Sequence, residues 1–214
     1  MNAKCAYRRR SLRLKHYDYS KAGFYFITIC TQDRLYLFGE IVDGMMVLND
    51  AGRMIENWYI ELENKFKHIN NHEMIIMPNH IHFIVEIVYG GNGIRNAGHT
   101  MQNGGHAIQK GGHIGPPLRD NNQYTTVGAD LRVCPDDTCD NPHVGDIVQW
   151  YKTMTTNAYI NMVKNGICPP FNKRVWQRNY YEHVVRDDVD YERIATYILN
   201  NPMTWPDDVL SKNI

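Results

Sequence analysis

Residues 77–85 read Met-Pro-Asn-His-Ile-His-Phe-Ile-Val. The Pro78-Asn79 pair predicts a turn, and the run after it is apolar apart from two histidines set two apart. Side chains alternate along a strand, so His80 and His82 share one face while Ile81, Phe83 and Val85 take the other. Two imidazoles in such a run cost free energy unless each has a partner, and one divalent ion satisfies both. Alone, the motif reads first as a pair of hydrogen-bonded core histidines or a half-exposed strand. Residues far downstream bear on the choice.

Working outward, His72–Met77 predicts the strand that pairs with His80–Val88 across the turn. Upstream, Ala22–Thr31 (Ala-Gly-Phe-Tyr-Phe-Ile-Thr-Ile-Cys-Thr) is aromatic and β-branched after a glycine, a central or near-central strand. Residues 35–48 flank Asp43-Gly44, the dipeptide of a tight hairpin. Ile55, Trp58, Tyr59 and Leu62 recur at helical spacing after an Asn49 or Asp50 cap, which predicts a helix to about Lys65. A second long helix runs from about Val144 to Gly166 on the stripe Ile147, Val148, Tyr151, Met154, Ala158, Tyr159 and Met162. Asp187 or Asp188 caps a last helix through Ile194, Tyr197 and Ile198, expected to end near Asn201 because Pro202 restricts its predecessor.

The chain has 214 residues with 23 basic and 23 acidic side chains, so no global field announces nucleic acid. The distribution is more informative. Residues 1–21 form a basic arm, with Lys4, Arg8, Arg9, Arg10, Arg13, Lys15 and Lys21 against the single acid Asp18, suited to neutralising phosphates or to remaining a solvated tail. Five cysteines without a regular framework, and no signal-peptide core, point to a cytoplasmic protein, expected at the nucleoid if it binds DNA. No apolar stretch approaches the roughly 20 residues of a membrane helix.

One domain is expected over 22–205, followed by a tail at 206–214. A Gly-, Asn- and His-rich insertion interrupts it at about 89–142. There Gly98-His99, Gly105-His106 and Gly112-His113 recur every seven residues, but no apolar pair repeats, which rejects a coiled coil. Cys134, Cys139 and His143 lack an evident fourth ligand for zinc. The insertion reads as weakly ordered and dispensable.

Between the last two helices, Lys173, Arg174, Trp176, Arg178, Tyr180, Tyr181 and Arg186 interleave cations with aromatics. That pattern suits phosphate contacts and base stacking, or a cationic rim around an ordinary aromatic core. Tyr197 and Asn201 are four apart and share a helix face. Together with His80 and His82 they make a coherent set. The Tyr197 phenolate would attack phosphorus, an ion on His80, His82 and Asn201 would stabilise developing charge, and a phosphotyrosine link would form. The same tyrosine, flanked by Ile194 and Ile198, also fits simple packing.

Arg8–Ser20, the Tyr25–Thr31 strand, Ile76–His82, Trp176–His183 (Trp-Gln-Arg-Asn-Tyr-Tyr-Glu-His) and Tyr197–Pro202 (Tyr-Ile-Leu-Asn-Asn-Pro) resemble the REP-associated tyrosine transposases. These are single-tyrosine HUH nucleases, in which the middle position is bulky and apolar, here Ile81. The resemblance spans most of 7–205 outside the insertion. It implies an α+β, ferredoxin-like or RRM-like antiparallel sheet with two helices on one face and a C-terminal helix carrying the tyrosine. It implies a Mg²⁺- or Mn²⁺-dependent single-strand DNA endonuclease and strand transferase acting at hairpins of palindromic repeats, as monomer or homodimer. His80, His82 and Asn201 match its metal ligands and Tyr197 its nucleophile. The arm (Arg8, Arg9, Arg10, Arg13, Lys15) and Lys173, Arg174, Trp176, Arg178 and Arg186 would contact DNA. Tyr180 and Tyr181 are rival nucleophiles, and a domesticated hairpin-binding protein that does not cut is the alternative. A dinuclear hydrolase is disfavoured, because no acid follows His82 closely.

Overall fold

The structure is a computed structural model that describes residues 17–88, 142–205 and Leu210. Arg8, Arg9, Arg10, Arg13 and Lys15, the bulk of the insertion and most of the tail lie outside the described residues. The chain divides into one unit of Met1–Gly90 with Cys139–Ile214 and another of Gly91–Thr138, and every described residue belongs to the first.

Strand β1 (Gly23–Cys30) is followed by a ribbon of β2 (Gly39–Val42) and β3 (Met45–Leu48), then α1 (Asp50–Lys65), β4 (Ile69–Met77) and β5 (His80–Ile87). Helix α2 (Val144–Lys164), β6 (Tyr181–Val184) and α3 (Asp188–Thr204) complete the order. The main sheet runs β4-β5-β1-β6 with every pairing antiparallel. With the ribbon set aside, this is the βαββαβ path of a ferredoxin-like α+β fold.

Alternation along the strands builds two different faces. On one, Tyr25, Ile27 and Ile29 of β1 and Ile81, Phe83 and Val85 of β5 meet Ile55, Tyr59 and Leu62 of α1 and Ile147, Val148 and Tyr151 of α2. Polar atoms that enter this core find partners. Tyr59 Oη donates to the Ile84 carbonyl at 2.8 Å, and Tyr151 Oη to the Ile55 carbonyl at 2.9 Å. On the other face, Phe26, Ile84 and Val185 meet Ile194 and Ile198 of α3. The register sets Thr28 opposite His82 and Cys30 opposite His80, so the histidines lie on the α3 side.

Three expectations need correction. Strand β4 begins at Ile69, not His72, and its register shifts between Asn71 and Met74. The asparagines are tolerated because their amide N–H groups are bonded: Asn71 Nδ2 donates to the Tyr59 carbonyl at 2.8 Å, and Asn70 Nδ2 to Glu86 Oε2 at 2.8 Å. Helix α3 continues through Pro202 to Thr204. The missing proline N–H costs one bond in the last turn, where the Thr204 hydroxyl donates to the Asn201 carbonyl at 3.2 Å and the Trp205 N–H to that of Pro202.

Residues 173–186, finally, are not one surface. Val175 and Trp176 enter the core, and Tyr181–Val184 is an edge strand on β1. Trp176 is 4% exposed, packs on Phe38 with ring centroids 5.2 Å apart, and donates its indole N–H to Thr155 Oγ1 at 2.9 Å. Its ring is therefore withdrawn from base stacking, because the core that needs an aromatic there also supplies the partner for its N–H.

Candidate active site

The Pro78-Asn79 turn is tied down before β5 starts. Its carbonyls accept from Leu37 N–H at Pro78 (2.9 Å) and from Thr31 N–H at Asn79 (2.8 Å). The next residue, His80, is fully buried, and His82 nearly so. Their Nε2 atoms lie 3.0 Å apart, and the rings meet edge-on with centroids at 4.5 Å. Each Nδ1 has its own partner: Asn79 Oδ1 at 2.8 Å from His80 and Thr28 Oγ1 at 2.7 Å from His82. Phe26 stacks on the His82 ring at 5.4 Å. Burial pushes the His82 pKa down to about 3 and holds that of His80 well below the ordinary imidazole range, with His82 and Arg34 adding to the effect. Both rings are neutral at physiological pH, the state in which imidazole binds metals.

Helix α3 brings the other two residues to this face. The Tyr197 hydroxyl lies 3.3 Å from His82 Nε2, and the two ring centroids are 5.2 Å apart. One turn on, Asn201 is 1% exposed, and among the described residues neither Oδ1 nor Nδ2 has a hydrogen-bond partner. A buried amide with both ends unpaired costs several kcal/mol if nothing binds it.

These donors fit a divalent cation. A nitrogen pair 3.0 Å apart matches two adjacent ligands of an octahedral ion at about 2.1 Å each, and the orphan amide oxygen is a hard donor of the kind such ions prefer. Among the described residues no group of three His, Cys, Asp or Glu side chains could hold a metal; the oxygen donor buried beside the two histidines is the Asn201 amide.

Beside the histidines opens a cleft of about 600 Å³, lined by Thr28, His82, Tyr181, His183, Arg193 and Tyr197 among others. Tyr180 and Tyr181 also line it, yet of the three candidate nucleophiles, Tyr197 is the one with a hydroxyl bonded to a site histidine. His183 pairs instead with Asp190 Oδ2 at 2.8 Å, which fastens β6 to the first turn of α3.

A second cleft, of about 540 Å³, lies along α2 and includes Lys173, Arg174 and Arg178, all exposed. Gln177 and Tyr180 line both clefts. Lys152 braces the wall between them, donating to the carbonyls of Gln177 at 2.9 Å, Arg178 at 3.3 Å and Asn179 at 3.4 Å. Burial lowers its pKa to about 8, so it remains cationic at neutral pH. Arg186 is exposed beyond β6 and lines neither cleft.

Sequence reasoning does not find Thr28 or Lys152. In the sequence Thr28 is only a hydroxyl inside an aromatic strand, and Lys152 one cation on an amphipathic helix. Among the described residues no helix is long and apolar enough to cross a membrane.

Compared with known proteins, the chain matches no family model. In fold, it aligns with a REP-associated tyrosine transposase bound to a REP hairpin over 90% of this chain and 73% of that one, at 16% identity and a TM-score of 0.46. It aligns with a proposed transposase from Deinococcus radiodurans R1 over 88% and 97%, at 13% identity and a TM-score of 0.40. Both likenesses are too slight to carry an argument. An uncharacterized protein of Haemophilus influenzae is 35% identical over 207 residues, which cover 94% of this chain and 92% of that one. At that identity and coverage, the chain belongs to the same family as the H. influenzae protein.

Proposed function

We propose that the chain is a transposase-type endonuclease and strand transferase for single-stranded hairpin DNA, with Tyr197 as nucleophile. The observation that carries this reading is the meeting of the Tyr197 hydroxyl with His82 Nε2 at 3.3 Å, on a face where His80 and the Asn201 amide, without a partner among the described residues, are also buried. The motif resemblance of His80–His82 and Tyr197–Pro202 supports the same assignment.

His80, His82 and Asn201 would hold Mg²⁺ or Mn²⁺. Such an ion supplies positive charge to the phosphate oxygens as charge builds in the transition state. The chain's own part is nucleophilic. The Tyr197 oxygen gives up its proton and bonds to phosphorus, the bond from phosphorus to the 3′ oxygen breaks, and that oxygen takes a proton. The products are a 5′-phosphotyrosine and a free 3′ hydroxyl, so rejoining needs no external energy source. Lys173, Arg174 and Arg178 would take phosphates of the bound strand, which positions it without reading sequence.

The test is covalent capture. Wild type and Tyr197→Phe are incubated with hairpin oligonucleotides carrying a label at either end, with Mn²⁺, and run under denaturing conditions. Wild type should retain the 3′ label and Tyr197→Phe neither label. Adduct formation by Tyr197→Phe would move the nucleophile to Tyr180 or Tyr181. Hairpin binding with no adduct in either protein would make the chain a binder.

A further inference from the structure

Asp190, Arg193 and Tyr197 stand at i, i+3 and i+7 on α3, which sets them along one flank of the helix. Arg193 and Tyr197, one turn apart, both line the cleft beside His82. Among the described residues that line this cleft, Arg193 is the one Lys or Arg side chain. Lys173, Arg174 and Arg178 belong to the other cleft.

The Arg193 side chain is 67% exposed, yet its guanidinium is held. Nη2 donates to Asp190 Oδ1 at 2.6 Å, and the Asp190 side chain is only 15% exposed. The second carboxylate oxygen accepts from His183 Nε2 at 2.8 Å and from the Arg186 N–H at 3.3 Å. The carboxylate is therefore fixed from β6 and from the turn after it. As a stability element an exposed ion pair of this kind contributes at most about 1 kcal/mol. Its larger effect is on orientation. One guanidinium N–H is spent on Asp190, and the rest remain in the planar fork that matches a phosphate.

The proposed chemistry calls for such a group at this place. A phenolate and a phosphodiester are both anions, and charge on the phosphate oxygens grows as the Tyr197 oxygen closes on phosphorus. A cation one helical turn from the phenol meets that charge where it develops. We propose that Arg193 is a substrate-binding residue of this cleft, whose guanidinium takes the non-bridging oxygens of the scissile phosphate beside Tyr197, and that Asp190 is a positioning residue acting through Arg193. The inference rests on the function proposed above and adds to it the side chain that grips the reacting phosphate.

Single-turnover adduct formation on labelled hairpin DNA with Mn²⁺, at saturating protein, reads the chemical step apart from hairpin affinity, which fluorescence anisotropy gives in the same buffer. Arg193→Ala should slow the saturated rate about 100- to 1,000-fold, while its hairpin affinity falls less than about tenfold because the other cations keep most of that attraction. Arg193→Lys keeps the charge without the fork and should react faster than Arg193→Ala but slower than wild type. Asp190→Ala should slow the wild-type rate about 10- to 100-fold and slow Arg193→Ala no further, since it acts through the guanidinium. If wild type forms no adduct, the proposed function and this inference fall together. If wild type reacts and Arg193→Ala matches its rate once saturated, or Arg193→Lys is no faster than Arg193→Ala, this inference alone is overturned. Losses that multiply in the Asp190→Ala, Arg193→Ala double variant overturn the role of Asp190.

Discussion

Asn201 should cost the empty protein stability that only a bound ion recovers. Its side chain is 1% exposed and both polar atoms are unpartnered among the described residues. Each unsatisfied group costs about 1–3 kcal/mol. Leucine repeats the branched shape of asparagine atom for atom and brings no polar group, though its methyls are bulkier and give back about 1 kcal/mol or more as crowding. The net expectation for Asn201→Leu in EDTA is a gain of about 2 kcal/mol, which for a chain of this size raises Tm by about 4–8 °C. Mn²⁺ at about 100 times its Kd should stabilise wild type by about 2.7 kcal/mol and the variant much less, so the order of stability narrows or reverses. Thermal melts of both proteins with EDTA and with Mn²⁺ decide the matter. A variant that melts well below wild type in EDTA would mean that the amide is satisfied within the fold. Equal Mn²⁺ shifts in the two proteins would remove Asn201 from the ligand set.

Two further outcomes are expected. His82 is held neutral to about pH 3, while its unfolded counterpart titrates near 6.5, so the unfolded chain takes up the proton first. The resulting stability is complete above about pH 6.5 and is lost as pH falls towards 3. By pH 5 His82 alone accounts for about 2 kcal/mol; urea midpoints at pH 7 and pH 5 should show it, and the slope should shrink in the His80→Gln, His82→Gln double variant. Trp176→Phe should cost about 1–3 kcal/mol by breaking the bond to Thr155 while hairpin affinity at low temperature is unchanged. Arg174→Ala with Arg178→Ala should do the reverse, weakening binding and reducing the salt slope by about 0.7 for each single-strand phosphate no longer neutralised. A fluorescence-anisotropy salt titration separates the two.

The placement of Tyr197 and Asn201 shows what a sequence can convey about a site. Ile194, Tyr197, Ile198 and Asn201 stand at i, i+3, i+4 and i+7 and form one helical stripe. The isoleucines are buried against Phe26 and Ile84, and once they seat α3 on that sheet face, Tyr197 and Asn201 must lie over it too. Alternation in β5 puts His80 and His82 on the same face, so the site follows from two local periods and one hydrophobic contact. Thr28 does not follow in this way. Its place opposite His82 is a matter of strand register, set by long-range pairing that no window of sequence contains. Trp176 fails for a related reason. Interleaved cations and aromatics look alike whether the rings face water or the core, and only the Thr155 hydroxyl, supplied by a helix twenty-one residues earlier, makes this indole an inward one. Local pattern therefore identifies His80, His82, Tyr197 and Asn201 as neighbours on one face, whereas the Thr28 hydroxyl that meets His82 comes from across the sheet, and a Thr28 substitution tests whether the site needs that support.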